Sequence, residues 1–279
     1  MDANLLKGYK NGPIFIGAIV LFFLLLKFLP FNPKENAGLA LLAFIAVLWL
    51  TEALHVTVTA LLVPLIAILL GLVTTKQALA AFSDPTIFLF FGGFALATAL
   101  HIQKLDKMIA NKIMALARGN LLRAVLYLFS ITAFLSMWMS NTATAAMMLP
   151  LAMGILSQMD KEKEHNTYIF VLLGIAYSAS IGGMGTLVGS PPNAIVASNL
   201  HLTFSDWLWY GLPIMIILMP LMLGTLFLIF KPKLNIRFEQ TFEKIELNGK
   251  RILTLALFVV IAFCWIYSSQ LNPLISGFL

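Results

Sequence analysis

The sequence predicts an all-α polytopic membrane protein, and two observations support this prediction. Of the 279 residues, 60% are hydrophobic and only 11% are charged, whereas about 25% of the residues in soluble domains are charged. Apolar runs long enough to cross a hydrocarbon core of about 30 Å recur along the chain, separated by short polar stretches. The net charge of +6 lies in those stretches, so it indicates membrane orientation rather than nucleic-acid binding.

The expected elements follow in order along the chain. Four apolar helices are expected at about 14–31, 38–55, 57–73 and 86–102. Segment 104–119 is expected to form an amphipathic helix in the membrane interface, because Leu105, Met108 and Ile109 share one helical face. The next expected elements are short apolar arms at 121–139 and 143–157, then helices at 167–186, 193–200, 208–230 and 251–269.

Basic residues predict the orientation of the chain. Fifteen of the 18 Lys and Arg residues fall in the segments 1–10, 104–123, 161–163 and 231–251. These segments share one side of the membrane if 121–157 enters and leaves by the same face, as a re-entrant hairpin or as two full spans. Cytoplasmic loops carry the excess of Lys and Arg, so we expect a multi-pass protein of the inner (cytoplasmic) membrane with a cytoplasmic N-terminus. Trp207 and Trp209 are expected to anchor the helix that follows at the extracellular interface.

A polar cluster separates the two short arms. Ser140, Asn141, Thr142 and Thr144 lie within five residues that carry no charge. Irregular backbone at membrane depth requires cover by protein or by a water-filled cavity. We therefore expect 121–157 to form a re-entrant helical hairpin, with its tip at the polar cluster. The alternative is one long kinked helix whose hydroxyls bond to their own backbone.

A second interruption lies at residues 180–195, where four glycines precede Pro191 and Pro192. The proline pair cannot continue a helix, and Ser190 before it is pushed to an extended conformation. We expect a discontinuous helix, with free carbonyls ending its first half and Asn193 capping its second half. The alternative is an ordinary extramembrane turn, although the stretch lacks the charged residues of the other loops.

The two interruptions offer neutral oxygen atoms and N–H donors. Paired broken helices are typical of transport sites, where helix N-termini suit a carboxylate and carbonyl oxygens suit Na⁺. Neither motif contains Lys or Arg, so a bound dianion would need at least two Na⁺ ions to balance its charge. We expect a carrier with Na⁺ as coupling ion and no cofactor. An enzyme is not expected, because no His, Asp or Glu lies in or beside either break.

Two motifs, "SNTATAAMMLP" at 140–150 and "GSPPNAI" at 189–195, resemble the divalent anion–sodium symporter family. That family includes sodium-coupled dicarboxylate and citrate transporters. Segments similar to its bacterial succinate transporters lie at 51–64, 88–97 and 105–117. The resemblance implies a homodimer of chains with two inverted repeats, which imports a C4-dicarboxylate such as succinate with Na⁺ by an elevator mechanism.

The resemblance also implies roles for individual residues. The expected sodium ligands are Ser136, Ser140, Asn141 and Gly189. The expected contacts of a substrate carboxylate are Asn141, Thr142 and Ser190. The residues expected to shape the unwound loop are Pro191, Pro192 and Asn193.

The same resemblance divides the chain into three parts. Residues 1–119 would form the scaffold and oligomerisation helices, 120–231 the transport part, and 232–279 a cytoplasmic connector with the first helix of a second repeat. The family's second Ser-Asn-Thr hairpin and second Pro-Pro-Asn break do not occur in this sequence. We therefore expect a truncated chain or one piece of a split transporter, with a second polypeptide supplying the missing repeat. The alternatives are a non-transporting fragment or partner subunit, and a related anion or metalloid carrier.

Overall fold

The computed structural model describes the backbone of residues 3–238, 245–268 and 270, and the side chains of these residues apart from 3–10 and 81. The expected segment 232–279 is therefore described in part, because 239–244, 269 and 271–279 lie outside the described residues, as do the side chains of the basic N-terminal segment. The chain divides into two compact units, Met1–Asp84 and Pro85–Leu279. The functional division expected at residue 119 concerns what moves during transport, and it stays a prediction.

The described residues of the first unit form four helices: α1 Ala3–Phe28, α2 Pro33–Thr51, α3 Val56–Leu69 and α4 Thr75–Ala80, followed by a 3₁₀ turn Ala81–Ser83. A capping box starts α2: the Asn32 side chain accepts a hydrogen bond from the Glu35 N–H at 2.9 Å, and the Glu35 carboxylate accepts one from the Asn32 N–H at 3.4 Å. Phe15 and Phe22 of α1 pack against Phe44 of α2. Phe44 is buried in the unit's apolar core, and Phe15 and Phe22 are partly buried and pack against that core.

The second unit contains eight helices among its described residues: α5 Pro85–Ile102, α6 Leu105–Ala115, α7 Leu121–Ser136, α8 Asn141–Leu156, α9 His165–Gly183, α10 Pro191–Asn199, α11 Phe204–Phe230 and α12 Gly249–Ile266. A 3₁₀ turn, Leu187–Gly189, lies between α9 and α10. Across both units, the described segments long and apolar enough to cross a membrane are 11–28, 33–51, 75–102, 165–183, 204–230 and 249–266. The predicted all-α fold with several membrane spans is confirmed for the described part of the chain.

Helices α7 and α8 form a hairpin against α9. Asn141 at the start of α8 lies against Gly183 at the end of α9, and the Leu156 carbonyl at the other end of α8 accepts a hydrogen bond from the Tyr168 hydroxyl. Helix α8 is therefore antiparallel to α9, and the alternative of one long kinked helix is wrong. Each arm has 16 residues, or about 24 Å of helix, which is less than the hydrocarbon thickness of about 30 Å. The re-entrant position of the hairpin stays a prediction.

Glycines allow α7 and α9 to approach closely. A Cβ added at Gly174 would collide with the Phe129 ring, and a Cβ added at Gly182 would collide with the backbone of Ala133. Along both helices these contacts run in the same direction, so α7 is parallel to α9. The interface belongs to the main apolar core, in which Phe129 and Phe170 are almost completely buried.

The first part of the connector follows the base of the hairpin. The Phe238 N–H donates to the Gly119 carbonyl at 2.9 Å, and the Leu121 N–H donates to the Ile236 carbonyl at 3.1 Å. The Lys233 ammonium pairs with the Glu164 carboxylate at 3.1 Å. These contacts join residues 232–238 to the starts of α7 and α9.

Several helix boundaries differ from the sequence predictions. Helix α2 ends at Thr51 and not near residue 55, because Glu52 takes a φ of 50°. Helix α6 ends at Ala115 because Arg118 and Gly119 take positive φ values, of 50° and 74°. Helix α11 begins at Phe204 because Thr203 and Asp206 form a capping box. Helix α4, which has six residues, was not predicted. Placement of α6 in the membrane interface stays a prediction.

We expect Gly182→Ala to destabilise the second unit by about 1–3 kcal/mol, because the added methyl group overpacks the α7–α9 interface. Gly154→Ala is the matched control: a Cβ at this α8 glycine meets nothing within 4 Å, so the substitution should stabilise the helix by up to about 1 kcal/mol. Thermal unfolding of the purified variants in detergent measures both effects. Equal unfolding midpoints for the two variants would contradict the packing described here.

Candidate functional site

The end of α7 brings three oxygen atoms together. Ser136 is fully buried, and its Oγ lies 2.7 Å from Asn141 Oδ1 and 2.7 Å from the Ala179 carbonyl oxygen. The amide oxygen and the carbonyl oxygen can only accept hydrogen bonds. The Ser136 hydroxyl hydrogen can therefore point at either of these two oxygens, and the Ala179 carbonyl also accepts the helical hydrogen bond of its place in α9. We call Ser136 Oγ, Asn141 Oδ1 and the Ala179 carbonyl oxygen the oxygen cluster.

The start of α8 offers donors beside the oxygen cluster. The Ser140 side chain caps the helix by accepting a hydrogen bond from the Ala143 N–H at 3.2 Å. The first turn of a helix leaves its remaining N–H groups without an intrahelical acceptor, here those of Asn141 and Thr142. Asn141 is half-buried and Thr142 is exposed. This end of α8 carries the positive end of the helix dipole and can accept an anion.

The two interruptions meet at Gly183. A Cβ at Gly183 would collide with Asn141 Oδ1, and a Cβ at Gly189 would lie 2.5 Å from the Gly183 carbonyl oxygen. Only glycine leaves room for this approach at both positions. The structure thus brings Ser136, Asn141 and Gly189 around one point, as expected for these residues, although their role as sodium ligands stays a prediction.

The second interruption is packed inside the protein. Leu187, Val188 and Gly189 are all buried, which a solvated extramembrane turn would not be. Thr186 is also fully buried. Its hydroxyl donates to the Met137 carbonyl and accepts a hydrogen bond from the Gly189 N–H at 3.2 Å. The loop between α9 and α10 is thus bonded directly to the hairpin tip.

Asn193 has a different role from the predicted cap. Helix α10 begins at Pro191, because proline lacks an N–H and its fixed φ suits the first helical position. Asn193 is buried, and its Nδ2 donates to the carbonyls of Gly183 and Thr186 at 2.8 Å each. The prediction that Asn193 caps the helix is therefore wrong. Its side chain instead holds the loop that it was expected to shape.

The carbonyls at the end of α9 are not free, contrary to the sequence prediction. The Gly183 carbonyl accepts from Asn193, and the Met184 carbonyl accepts from Trp207 Nε1 at 3.0 Å. Trp207, expected as an interface anchor, thus bonds to the broken helix. The expectation for Trp209, which is 80% exposed, stays a prediction.

Helix α10 offers fewer donors than α8. Its first two residues, Pro191 and Pro192, have no N–H and are exposed. Ser190 takes the N-cap position without forming a side-chain cap. In the described structure the hydroxyls of Ser190 and Thr142 have no hydrogen-bond partner, so both can serve a ligand. Anion binding is consequently better supported by the start of α8.

The chemistry of this region is uncharged. Among the described residues there is no group of three or more His, Cys, Asp or Glu side chains that could hold a metal ion. The region therefore suits an alkali cation held by neutral oxygens rather than a transition metal, which takes imidazole or thiolate ligands.

Three participants were not identified from the sequence: the Ala179 carbonyl, the Thr186 hydroxyl and the Trp207 indole. Thr186 lies within the "GGMGTLVGSPPN" stretch, and a polar residue between glycines in an apolar run is a signal that could have found it. The Ala179 carbonyl gives no signal, because every residue has one.

Comparison with known proteins identifies relatives along most of the chain. The family model described as citrate transporter (CitMHS) matches residues 46–276. An uncharacterized transporter of Haemophilus influenzae is 80% identical over 274 residues, which cover 98% of this chain and 59% of that protein. An uncharacterized transporter of Methanocaldococcus jannaschii is 41% identical over 246 residues, or 87% of this chain and 55% of that protein.

A relative with a stated substrate class is the sodium-dependent dicarboxylate transporter SdcS of Staphylococcus aureus. It is 32% identical over 240 residues, which cover 76% of this chain and 46% of that protein. The chain thus spans about half the length of the curated relatives it matches.

We expect Asn193→Leu to destabilise the second unit by about 1–3 kcal/mol, because the buried Gly183 and Thr186 carbonyls lose their shared donor. The control is Asn199→Leu on the same helix. Asn199 is exposed, and its side chain donates to the Ile195 carbonyl at 2.7 Å, so its loss should have little effect. The thermal unfolding midpoints of the two variants measure both effects. A larger decrease in midpoint for Asn199→Leu than for Asn193→Leu would refute the role assigned to Asn193.

Proposed function

Because the chain belongs to the citrate transporter family, whose members are membrane transporters and not enzymes, we propose that its site binds Na⁺ together with a C4-dicarboxylate such as succinate. The carrier to which the chain belongs imports the two together. The proposal covers the whole carrier's activity, since the matched relatives are about twice as long as the matched region.

The meeting of three uncharged oxygen atoms in the oxygen cluster is the observation that carries the proposal. Ser136 Oγ lies at 2.7 Å from two oxygens that cannot donate. A cation among these atoms would meet uncharged oxygens, because the Ser136 hydroxyl hydrogen can turn toward one of its two acceptors and leave a lone pair facing the ion. Backbone carbonyl oxygens coordinate Na⁺ at broken helices in carriers, and the hydroxyl and amide oxygens of the cluster are neutral acceptors of the same kind.

The start of α8 is the proposed contact of a substrate carboxylate. The N–H groups of Asn141 and Thr142 and the helix dipole favour an anion there, and the hydroxyls of Thr142 and Ser190 add donors. Neither interruption contains Lys or Arg. A dianion at this position would therefore depend on Na⁺ ions for charge balance, which gives a physical reason for coupled transport with at least two Na⁺.

The remaining features of the proposed carrier follow from the family resemblance and the charge pattern. The protein is a multi-pass membrane protein, and we place it in the inner membrane with its N-terminus in the cytoplasm. Residues 1–119 form the scaffold of a homodimer, and residues 120–231 move as the transport part of an elevator. The name of the S. aureus relative, a sodium-dependent dicarboxylate transporter, supports the substrate class.

Uptake by the carrier in proteoliposomes tests the proposal. We expect labelled succinate to accumulate under an inward Na⁺ gradient and to stop accumulating when choline replaces Na⁺. Citrate should be assayed in parallel, because the family description names it. Uptake of either substrate that continues unchanged in choline would refute the coupling, and no uptake of either substrate in Na⁺ would refute the substrate class.

We expect Asn141→Ala to weaken Na⁺-dependent succinate binding about tenfold or more, because the loss of a positioned polar partner costs about 1–3 kcal/mol. Lys161→Ala is the control, since Lys161 is exposed in the loop between α8 and α9 and should leave affinity unchanged. Equilibrium binding of labelled succinate at fixed Na⁺ measures both. Wild-type affinity in Asn141→Ala would remove Asn141 from the site.

A further inference from the structure

Thr186 makes the hydrogen bonds that join the two halves of the proposed sodium site. One half comes from the hairpin, with Ser136 and Asn141, and the other half comes from the loop at Gly189. The Thr186 hydroxyl donates to the carbonyl of Met137, the residue directly after Ser136, and accepts from the Gly189 N–H at 3.2 Å. Met137 is therefore next to an expected sodium ligand, and Gly189 is itself an expected sodium ligand.

The setting of Thr186 differs from that of another buried threonine in the same unit. Thr132 is equally buried, and its hydroxyl donates at 2.5 Å to the Leu128 carbonyl, one turn earlier in its own helix. This is the usual bond of a helical threonine. The Thr186 hydroxyl instead reaches a residue 49 positions away in the sequence. The Thr186 hydroxyl therefore links the loop to the hairpin, whereas the Thr132 hydroxyl bonds only within its own helix.

The backbone of Thr186 is held as well. Asn193 Nδ2 donates to the Thr186 carbonyl at 2.8 Å, so the residue is fixed through both its side chain and its main chain. A buried hydroxyl with both a donor bond and an acceptor bond filled is costly to remove, because its partners stay behind without water.

We propose that Thr186 is a positioning residue for cation binding, which fixes the distance between the Ser136–Asn141 half of the site and Gly189. This inference rests on the proposed function. Thr186 contacts neither the cation nor the substrate, and it acts by pre-organising ligands that come from separate segments. Loosening such a site lowers the affinity for the cation without removing a ligand.

The inference predicts an effect on Na⁺ that is separate from the effect on succinate. Thr186→Val keeps the shape of the side chain and removes its hydroxyl. We expect the Na⁺ concentration for half-maximal binding to rise about tenfold, as the loss of bonds of this kind implies, while succinate affinity at saturating Na⁺ stays within about twofold of wild type. A purely structural role would reduce the amount of folded protein without moving the Na⁺ dependence of the folded fraction.

The test compares the wild-type carrier with Thr186→Val, Thr186→Ser and Thr132→Val. Two readouts are used: Na⁺-dependent thermal stabilisation and the Na⁺ dependence of succinate binding. Thr186→Ser should restore the wild-type Na⁺ dependence because it keeps the hydroxyl, and Thr132→Val should not move it. If Thr186→Val does not fold, Thr186→Cys replaces it, and its weak S–H donor should give an intermediate shift.

The possible outcomes distinguish failure of the role of Thr186 from failure of the proposed function. An unchanged Na⁺ dependence in Thr186→Val or Thr186→Cys, or an equal shift in Thr132→Val, overturns the role of Thr186 and leaves the proposed function standing. A wild-type carrier that shows no Na⁺ dependence in either readout overturns the proposed function itself.

Discussion

Polar backbone groups inside an apolar protein must find partners, and this constraint governs the place where the two interrupted helices meet. The chain satisfies this requirement with side chains that come from different helices. Asn193 bonds the carbonyls of Gly183 and Thr186, and Trp207 bonds the carbonyl of Met184. The loop between α9 and α10, whose regular part is the 3₁₀ turn Leu187–Gly189, is thereby held in place. Its position depends on these bonds more than on the local sequence.

Once those carbonyls are bonded, the oxygen cluster stands out by contrast. It brings a hydroxyl, an amide and a backbone carbonyl oxygen to one point, with Ser136 Oγ 2.7 Å from each of the other two oxygens. The absence of Lys and Arg from both motifs then makes a bound cation the natural counter-charge for an acidic solute. In the proposed function, the binding of the ion and the binding of the solute therefore depend on each other.

The sequence predicted the location of both interruptions, because polar residues in an apolar run and a Gly-rich stretch before a proline pair are local signals. It did not predict where α10 begins, since Pro at the first helical position and Asn as a cap are both compatible with "SPPN". It also missed the Ala179 carbonyl and Thr186, whose partners lie 43 and 49 residues away. Such contacts depend on the packing of α7 against α9, which local patterns do not specify.

The most direct measurement of the central claim is a high-resolution density map of the carrier in Na⁺ buffer, compared with a map in choline buffer. The account predicts a density peak in contact with Ser136 Oγ, Asn141 Oδ1 and the Ala179 carbonyl oxygen in Na⁺, and its loss in choline. Maps in which the Ser136 hydroxyl keeps its direct contacts to the other two oxygens in both buffers, with no peak among the three atoms, would contradict it.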